Sequence, residues 1–374
     1  MESLKQYSKL NRLSELGIEG IDLKKVKFNW AKANEKAKEN SKQVKTEIEL
    51  MLHKHGVDFE NGNTVITGKN SIKINNRLIE ADNILIATGS LPNKAKSDKS
   101  IGIAEIYKKD DLPEEIVVEG NGPVAVEFAQ MLNMAGVKVY FNHNSEKLIP
   151  GADEYINNYL ISKLKSEGII FAKENKIPKG LTHLNANMRK AVVPENNLKI
   201  ALDESGFVAV NEFLQTNIKN IYAVGDVNGK SYLAHAASAQ ALFAVNHIAG
   251  IKGKIRHDRY PMNIYTYPEI AQIGKTEQEL KQEGIEYKIS SFSFSSNAKA
   301  LIKGENEGEI RILSESKYGE VLGVQIISEN ATDMIAEAAA YIEMEATIYD
   351  VAKTIHAHPT ISEVFVEAAR KSDE

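Results

Sequence analysis

The sequence lacks cysteine entirely, so none of its 374 residues carries a thiol. This absence excludes disulfide bonds, thiolate nucleophiles, zinc sites with cysteine ligands and iron–sulfur clusters. No apolar run approaches the roughly 20 residues that a membrane span requires. The polar residues 1–10 also lack the apolar core of a secretory signal. We therefore expect a cytoplasmic protein with no membrane partner.

An excess of basic charge is also missing. Lys and Arg number 46 against 51 Asp and Glu, which gives a net charge of −5. A mildly acidic chain is a poor candidate for sequence-independent nucleic-acid binding, because that binding depends on neutralising phosphates. Hydrophobic residues make up 43% and charged residues 26%, as in soluble globular proteins. The length predicts two to three domains.

Residue patterns along the chain predict both helices and strands. Residues 1–56, in which Lys and Glu alternate with apolar positions, are predicted to be helical. Residues 57–90 are predicted to form short strands, the first at 57–59, with Asn-Gly and Asn-Asn turns. Residues 91–113 are predicted to be a polar connector and 172–200 to be irregular. An Ala-rich helix is predicted from Ala234 to Ile248, and beyond residue 253 strands alternate with an Ala/Glu-rich helix. The pattern indicates an α/β protein.

A glycine-rich turn between a predicted strand and a predicted helix is the strongest local motif. Its first glycine permits a tight turn, its second lets a pyrophosphate approach the backbone, and alanine at its last position allows close helix packing. Turns of this kind also occur for purely structural reasons, and the motif alone leaves both interpretations open. As a nucleotide site it would use Gly120, Asn121, Gly122, Pro123, Val124, Ala125, Val126 and Glu127.

The residue expected to hold the adenine ribose departs from this fingerprint. An acidic residue is expected about 20 positions after the turn. The strand 137–141 ends instead in Asn142 and His143. We therefore expect weak or absent nicotinamide cofactor binding. Where binding occurs, we expect a preference for NADPH, because His143 removes the charge that would repel a ribose phosphate.

Two further turns follow predicted buried strands. Ala87-Thr88-Gly89-Ser90 follows the strand 84–86, and small residues there suit close approach of a cofactor to the backbone. The strand that begins at Ile221 delivers Asp226 at its carboxyl end, where ligands bind in open α/β sheets. An Asp at that place also caps turns in many proteins, and each signal is weak alone.

The segment His356–Glu363 contains two histidines and a carboxylate. A His oriented by a nearby carboxylate can act as a general base. No third ligand recurs nearby, so the sequence predicts no metal site. A single His near the end of a chain is usually structural, and the segment by itself leaves its role open.

Taken in order, these motifs resemble those of dihydrolipoyl dehydrogenases. The resemblance runs from about Lys5 to Ala369 and includes Tyr267–Gly274. It implies two dinucleotide-binding domains followed by a dimerisation domain, in an incomplete α/β flavoprotein fold with an α+β C-terminal domain. The implied bounds are 1–112 with 216–252 for the FAD-binding-like domain, 113–215 for a shortened NAD-binding-like domain, and 253–374 for dimerisation.

The resemblance also implies roles for individual residues. The turn at Gly120–Glu127, with His143, would carry NAD, and the acid/base His358 would be oriented by Glu363. It implies a homodimer, because that His serves the partner subunit, and membership of a 2-oxo acid dehydrogenase or glycine cleavage complex. The residues that would contact FAD are Thr88, Gly89, Ser90, Asp226, Tyr232, Leu233, Ala234 and His235.

Three departures from the family pattern bear on activity. The family begins with a strand and a glycine-rich turn for the FAD pyrophosphate, and Met1 aligns beyond them. The family's redox disulfide lies in the same segment, and this chain has no Cys. The region 172–200 is also too short for the family's strand hairpin, and Asn187–Lys190 is a poor match to its second characteristic turn.

Three functional interpretations remain open from the sequence. The first is a degenerate dihydrolipoyl dehydrogenase homologue that cannot reduce or oxidise lipoamide. The second is a non-enzymatic dimerising protein that pairs with a full-length relative. The third is an FAD protein that moves hydride from NAD(P)H to a non-disulfide acceptor.

Overall fold

The computed structural model describes residues 1–92, 99–143, 145, 147–187 and 189–373. The chain forms two compact units, each assembled from separate stretches of sequence. Unit 1 comprises 1–28, 95–187 and 258–374, and unit 2 comprises 29–94 and 188–257. Residues 93–98 of the predicted connector, and Met188 of the poorly matching turn, lie outside the described residues.

The secondary structure is mixed throughout. The helices are α1 Glu2–Lys9, α2 Trp30–Lys54, α3 Ile103–Ile106, α4 Pro123–Met134, α5 Glu154–Ser166, α6 Ala234–Ile248, α7 Glu277–Glu283, α8 Ala298–Lys303, α9 Ala331–Glu343, α10 Ile348–Lys353 and α11 Glu363–Arg370. The strands are β1 Thr64–Gly68, β2 Ser71–Ile74, β3 Arg77–Glu80, β4 Ile84–Ile86, β5 Ser90–Pro92, β6 Ser100–Gly102, β7 Glu115–Glu119, β8 Lys138–Asn142, β9 Ile170–Phe171, β10 Thr182–Asn185, β11 Arg189–Ala191, β12 Glu195–Asn196, β13 Ile221–Ala223, β14 Met262–Ile264, β15 Glu269–Gly274, β16 Tyr287–Ser293, β17 Glu309–Glu315 and β18 Val321–Ser328.

Unit 1 contains a parallel sheet in the order β6-β10-β7-β8-β9. Its strands are short, and Ile116, Val117 and Val118 of β7 are fully buried. Strands buried on both faces are typical of parallel sheets covered by helices. Strand β7 leads through the glycine-rich turn into α4, so that turn lies at the carboxyl edge of the sheet.

The second sheet of unit 1 is antiparallel, in the order β14-β15-β18-β17-β16. Helices α9 and α11 pack on it and bury one contiguous core. Ile310, Ile312, Val324 and Ile326 supply the sheet side of that core by facing inward at alternate positions. The strands and the Ala/Glu-rich helix predicted beyond residue 253 are confirmed.

Unit 2 is built around the parallel pair β4 and β13. One face of this pair buries Ile86, Ile221 and Ala223 in a cluster that also contains Ile66 of β1. On the other face, Tyr222 packs in a cluster with residues of α6. Strands β1, β2 and β3 form a meander extended by β12, and β5 pairs with β11.

Several elements differ from the sequence predictions. Residues 57–59, predicted as a strand, form none, and 13–22 interrupt the predicted N-terminal helix. The region 172–200, predicted as irregular, contains three short strands, because neighbouring strands supply their hydrogen-bonding partners. Residues 189–196 belong to unit 2.

Candidate functional site

A cavity of about 480 Å³ lies in unit 2 at the carboxyl ends of β4 and β13. Ligands bind at this edge in open α/β sheets. The cavity is lined by the turn after β4, by the turn after β13 and by α6. The lining residues are Ala87, Thr88, Gly89, Ser90, Arg189, Val224, Gly225, Asp226, Ala237, Ser238 and Ala241.

Three polar side chains form a connected cluster in this cavity. The Ser90 hydroxyl donates to Asp226 Oδ2 at 2.6 Å and accepts from Arg189 Nε at 2.6 Å. Arg189 also donates through Nη2 to the Ser90 carbonyl at 2.6 Å, and its Nε lies 3.5 Å from Asp226 Oδ2. Ser90 is 8% exposed, so its hydroxyl joins the two charged groups from a buried position. The cluster fixes the directions of Asp226 and Arg189 at the mouth of the turn.

Backbone and buried amides shape the rest of the cavity. Gly89 has φ +70°, and a Cβ there would meet no atom within 4 Å, so the turn leaves open space beside the backbone. The Gln240 side-chain oxygen accepts from the Gly225 N–H and from Asn228 Nδ2, both at 2.8 Å. Gln240 Nε2 is buried and makes no hydrogen bond to any described residue. The cavity thus has accessible backbone at Gly89, and the hydrogen bond to Gln240 holds the backbone of Gly225 in place beside it.

Four of the residues predicted to contact FAD lie beside the cavity rather than in its lining. Tyr232 packs edge-on against Phe207, and burial raises the pKa of the Tyr232 phenol. Leu233 precedes α6, and Ala234 and His235 open that helix. One turn later, the same helix lines the cavity through Ala237 and Ser238. The predicted Thr88, Gly89, Ser90 and Asp226 line it directly.

In unit 1, the glycine-rich turn has the geometry of a phosphate-binding turn. Gly122 has φ +94°, and a Cβ there would meet no atom within 4 Å. A Cβ on Gly120 would lie 2.7 Å from the Ala186 carbonyl oxygen, so only glycine fits beside the backbone that follows β10. Pro123 occupies the first turn of α4, and no side chain caps this helix. The N–H groups of Val124 and Ala125 therefore face the open end of the helix, where anions bind.

Four other predicted nucleotide residues take different roles around this turn. Asn121 lies between the two glycines, and Val126 is fully buried against the sheet. Glu127 accepts a hydrogen bond from the Tyr265 N–H at 2.9 Å, and burial raises the pKa of its carboxyl. His143 follows β8, so it lies at the same sheet edge as the turn, with Nδ1 2.9 Å from the Ser145 carbonyl.

The two histidines near the end of the chain are each paired with a carboxylate. His358 Nδ1 lies 2.8 Å from Glu363 Oε1, and the His358 side chain is 73% exposed. The Thr360 N–H donates to Glu363 Oε2 at 2.8 Å, and this bond, with that of His358, lowers the pKa of Glu363. His356 Nε2 instead lies 2.7 Å from Glu337 Oε1, and its ring stacks on Phe365. The His358 side chain of the first pair is thus exposed to solvent, whereas the His356 side chain of the second pair is buried.

Within the described ranges, no group of three His, Asp or Glu side chains is arranged to hold a metal ion. Across the same ranges, no helix has both the length and the apolar character needed to span a bilayer.

Arg189, which lines the cavity, and Gln240, which hydrogen-bonds to the lining residue Gly225, are not predicted from the sequence. Arg189 lies in Asn187–Lys190, which was judged only a poor match to a family turn. Gln240 lies among alanines in a helix that was predicted from composition alone. Arg189 lies within the predicted irregular region 172–200, and its partner Ser90 lies 99 residues away, so no local signal indicates this contact.

Comparisons with known proteins agree with the fold of both units. Residues 14–183 and 184–241 match the family described as pyridine nucleotide-disulphide oxidoreductase. Residues 260–369 match the dimerisation domain of the same family.

Individual relatives are similar over nearly the whole chain. A dihydrolipoyl dehydrogenase of Bacillus subtilis (strain 168) is 30% identical, over 95% of this chain and 84% of the relative. The mitochondrial dihydrolipoyl dehydrogenase of Mesocricetus auratus is 31% identical, over 96% of this chain and 83% of the relative. The crystal structure of LpdA from Mycobacterium tuberculosis superposes with a TM-score of 0.90 at 22% identity, covering 99% of this chain and 88% of LpdA. The resemblance inferred from the motifs is confirmed, and the chain belongs to the pyridine nucleotide-disulphide oxidoreductase family as a homologue of dihydrolipoyl dehydrogenases.

Proposed function

We propose that this chain binds FAD in the cavity of unit 2 and does not exchange thiols with disulfides. The observation that carries the proposal is the Ser90–Asp226–Arg189 cluster at the floor of an open cavity, in a chain that contains no cysteine. The cluster holds the two charged groups, Asp226 and Arg189, in the lining of a cavity at the sheet edge where ligands bind in open α/β sheets. A polar ligand at the cavity accounts for that arrangement.

The residues of the cavity fit the polar part of a flavin dinucleotide. Asp226 has oxygen lone pairs beyond the one used by Ser90 and can accept from the hydroxyls of a sugar alcohol. Arg189 keeps its Nη1 donors for a phosphate oxygen, and guanidinium groups suit phosphate geometry. The free backbone surface at Gly89 allows a flat or extended ligand to approach closely. When bound, FAD would supply hydride and electron transfer.

Thiol–disulfide exchange requires a thiolate that attacks a sulfur atom. With no cysteine in the chain, no residue here can form a mixed disulfide with lipoamide. The pair His358–Glu363 keeps the geometry of a base and its orienting carboxylate. Its exposed imidazole can still move a proton, but this chain offers it no thiol to deprotonate.

The glycine-rich turn of unit 1 supports a nicotinamide nucleotide as hydride donor. The open N-terminus of α4 and the uncovered face of Gly122 suit a pyrophosphate. His143 stands at the sheet edge where an acidic residue would repel a ribose phosphate. We therefore expect weak binding overall, with NADPH preferred to NADH.

The remaining assignments rest on the family. We propose a homodimer through residues 253–374, with 1–112 and 216–252 as the FAD-binding-like domain and 113–215 as the NAD-binding-like domain. A 2-oxo acid dehydrogenase or glycine cleavage complex is the assembly that such a subunit would join, and the cytoplasm is the expected compartment.

A visible absorption spectrum of the natively purified protein tests the proposal. We expect a flavin band near one equivalent per chain, either as purified or after incubation with FAD. Asp226→Ala should weaken FAD retention by about tenfold or more, since one or two hydrogen bonds to a charged group are lost. Ser238→Ala, at an exposed residue of the same cavity, is the matched control and should retain FAD. Equal retention by both variants would contradict the assignment of the cavity.

A second candidate is a dimerising subunit without a flavin reaction. The observation that favours it is the antiparallel sheet domain, which buries its own core in unit 1 and matches the dimerisation family over 260–369. A protein that never binds FAD yet forms a stable dimer would support this second function.

A further inference from the structure

A second cavity of about 400 Å³ lies in unit 2, at the other edge of the β4–β13 pair from the cavity proposed to bind FAD. Asn83 and Asn220 line it and directly precede β4 and β13, so this second cavity lies at the amino ends of the two strands. Its volume is within the range of small-molecule sites. The linings of the two cavities share no residue of the described chain, so FAD binding gives the second cavity no role.

Two lysines in the lining of the second cavity have ammonium groups without a carboxylate partner. Lys69 lies in the turn between β1 and β2, and Lys219 lies in the segment before β13. Both are exposed, and neither forms an ion pair with any residue that the structure describes. Asp82 is the single carboxylate among the lining residues. The lining therefore carries a net positive charge, which favours an anionic ligand.

Amide side chains hold the backbone around both lysines in place. Asn220 Nδ2 donates to the carbonyl of Lys69 at 2.6 Å and to the carbonyl of Asp82 at 2.9 Å. Gln215 Nε2 donates to the Lys219 carbonyl at 2.7 Å. The bonds of Asn220 use its amide hydrogens, so its side-chain oxygen stays available as an acceptor. A ligand would thus meet a preorganised backbone, which lowers the entropy cost of binding.

A histidine in the same lining is held in one orientation by its neighbours. The Tyr222 hydroxyl lies 3.0 Å from His247 Nδ1, and the Phe213 ring stacks on the His247 ring with 4.7 Å between centroids. Gln215 Nε2 donates to the Tyr222 hydroxyl at 3.3 Å, so this hydroxyl donates its own hydrogen to His247 Nδ1. The proton of the neutral imidazole then lies on Nε2, which has no partner among the described residues. His247 therefore offers one further donor beside the two ammonium groups.

We propose that the second cavity binds a small organic phosphate. The ammonium groups of Lys69 and Lys219 and the Nε2–H of His247 would donate to the phosphate. A phosphate group carries more charge than a carboxylate and has three strong acceptor oxygens, which matches these three donors. Hydroxyl groups of the organic part would donate to the Asp82 carboxylate and to the side-chain oxygen of Asn220. A sugar phosphate has both kinds of group.

Calorimetric titration of the full chain with ribose 5-phosphate tests the proposal. We expect one site per chain with a Kd of about 1 mM or lower, and at least about tenfold weaker binding of ribose. Titrations with and without added FAD should give the same Kd, because the two cavities share no lining residue. In protein labelled with nitrogen-15 at histidine, the Nε2 signal of His247, identified by its loss in His247→Asn, should shift on binding.

Paired lysine variants locate the binding. Lys69→Gln combined with Lys219→Gln should raise the Kd about tenfold or more, because both ammonium groups are lost. The matched control is Lys73→Gln combined with Lys199→Gln, which removes the same charge from two exposed lysines of unit 2 outside the lining. That control should leave the Kd unchanged.

Several results would overturn the proposal. Absence of saturable binding up to about 10 mM ribose 5-phosphate, or equal affinities for ribose and ribose 5-phosphate, would refute a phosphate site. Equal losses from the two double variants would show that binding follows the overall charge and not this cavity. Inorganic phosphate that binds as tightly as ribose 5-phosphate would refute the hydroxyl contacts. None of these readouts requires bound FAD, so failure here is distinguishable from failure of the function proposed for the first cavity.

Discussion

The substitution Ser90→Ala tests whether the cavity cluster stabilises unit 2 as the geometry indicates. The Ser90 hydroxyl makes two hydrogen bonds of 2.6 Å, one to Asp226 and one from Arg189. Hydrogen bonds to charged groups contribute about 1.5–3 kcal/mol each. The charged partners are part-exposed and only 3.5 Å apart, so solvent and a closer ion pair would recover part of that loss. We therefore expect a net destabilisation of about 2 kcal/mol.

Native-state amide exchange over residues 221–228 measures this effect within unit 2. A loss of about 2 kcal/mol corresponds to a roughly 30-fold rise in the opening constant. The matched control is Ser238→Ala in the same cavity, whose hydroxyl donates only to the Ala234 carbonyl of its own helix. That control should change the stability by about 0.5 kcal/mol or less. Equal effects of the two substitutions would refute the role given to Ser90.

Three further predictions concern unit 1. Glu127→Gln should stabilise the protein at pH 7 and have no effect near pH 4. Burial raises the pKa of Glu127 in the folded protein, so its ionisation lowers the stability as the pH rises above the ordinary carboxyl pKa, and the neutral Gln avoids that loss. Urea midpoints at the two pH values check this, and an equal shift at both would contradict it. Lys5→Met should cost about 2 kcal/mol, because it leaves half-buried Glu269 without its cation at 2.7 Å while the hydrogen bonds from Thr332 remain. Lys5→Met with Glu269→Met should recover part of that loss in the same assay, and a double variant no more stable than the single one would argue against the pair. Ile355 is 96% exposed beside the His356–Glu363 loop, and Ile355→Glu should weaken dimerisation about tenfold or more in sedimentation while leaving the stability unchanged. The control Leu50→Glu should change neither dimerisation nor stability, and an unchanged dimer in Ile355→Glu would place the interface elsewhere.

Local signals were sufficient for several elements of the fold. Helix α4 was predicted from the glycines before it and Pro123 at its first turn, and the helix Ala234–Ile248 was predicted with both ends correct. Pro123 is a start signal for α4, and the alanines of Ala234–Ile248 favour a helix by their intrinsic propensity, so both segments need little tertiary information. The fold class followed from the order of such motifs and is confirmed by the family matches.

Other elements depended on partners far away in the sequence. Strand β10 reads Thr-His-Leu-Asn, which carries little strand preference, and it forms because β6 and β7 bond to it from both sides. Residues 57–59 are apolar enough for a strand but have no neighbouring strand with which to pair. The contact of Arg189 with Ser90 spans 99 residues, and no local pattern indicates it.

The central claim is that this chain keeps a dinucleotide cavity but performs no disulfide chemistry. The most direct measurement is NADH and NADPH oxidation by the purified protein, supplied with FAD, in the presence and absence of lipoamide. The account predicts that adding lipoamide gives no more NADH or NADPH oxidation than it gives with a heat-inactivated sample. This holds whatever rate of oxidation the protein shows with an electron acceptor such as ferricyanide. Oxidation that saturates with lipoamide concentration would contradict it.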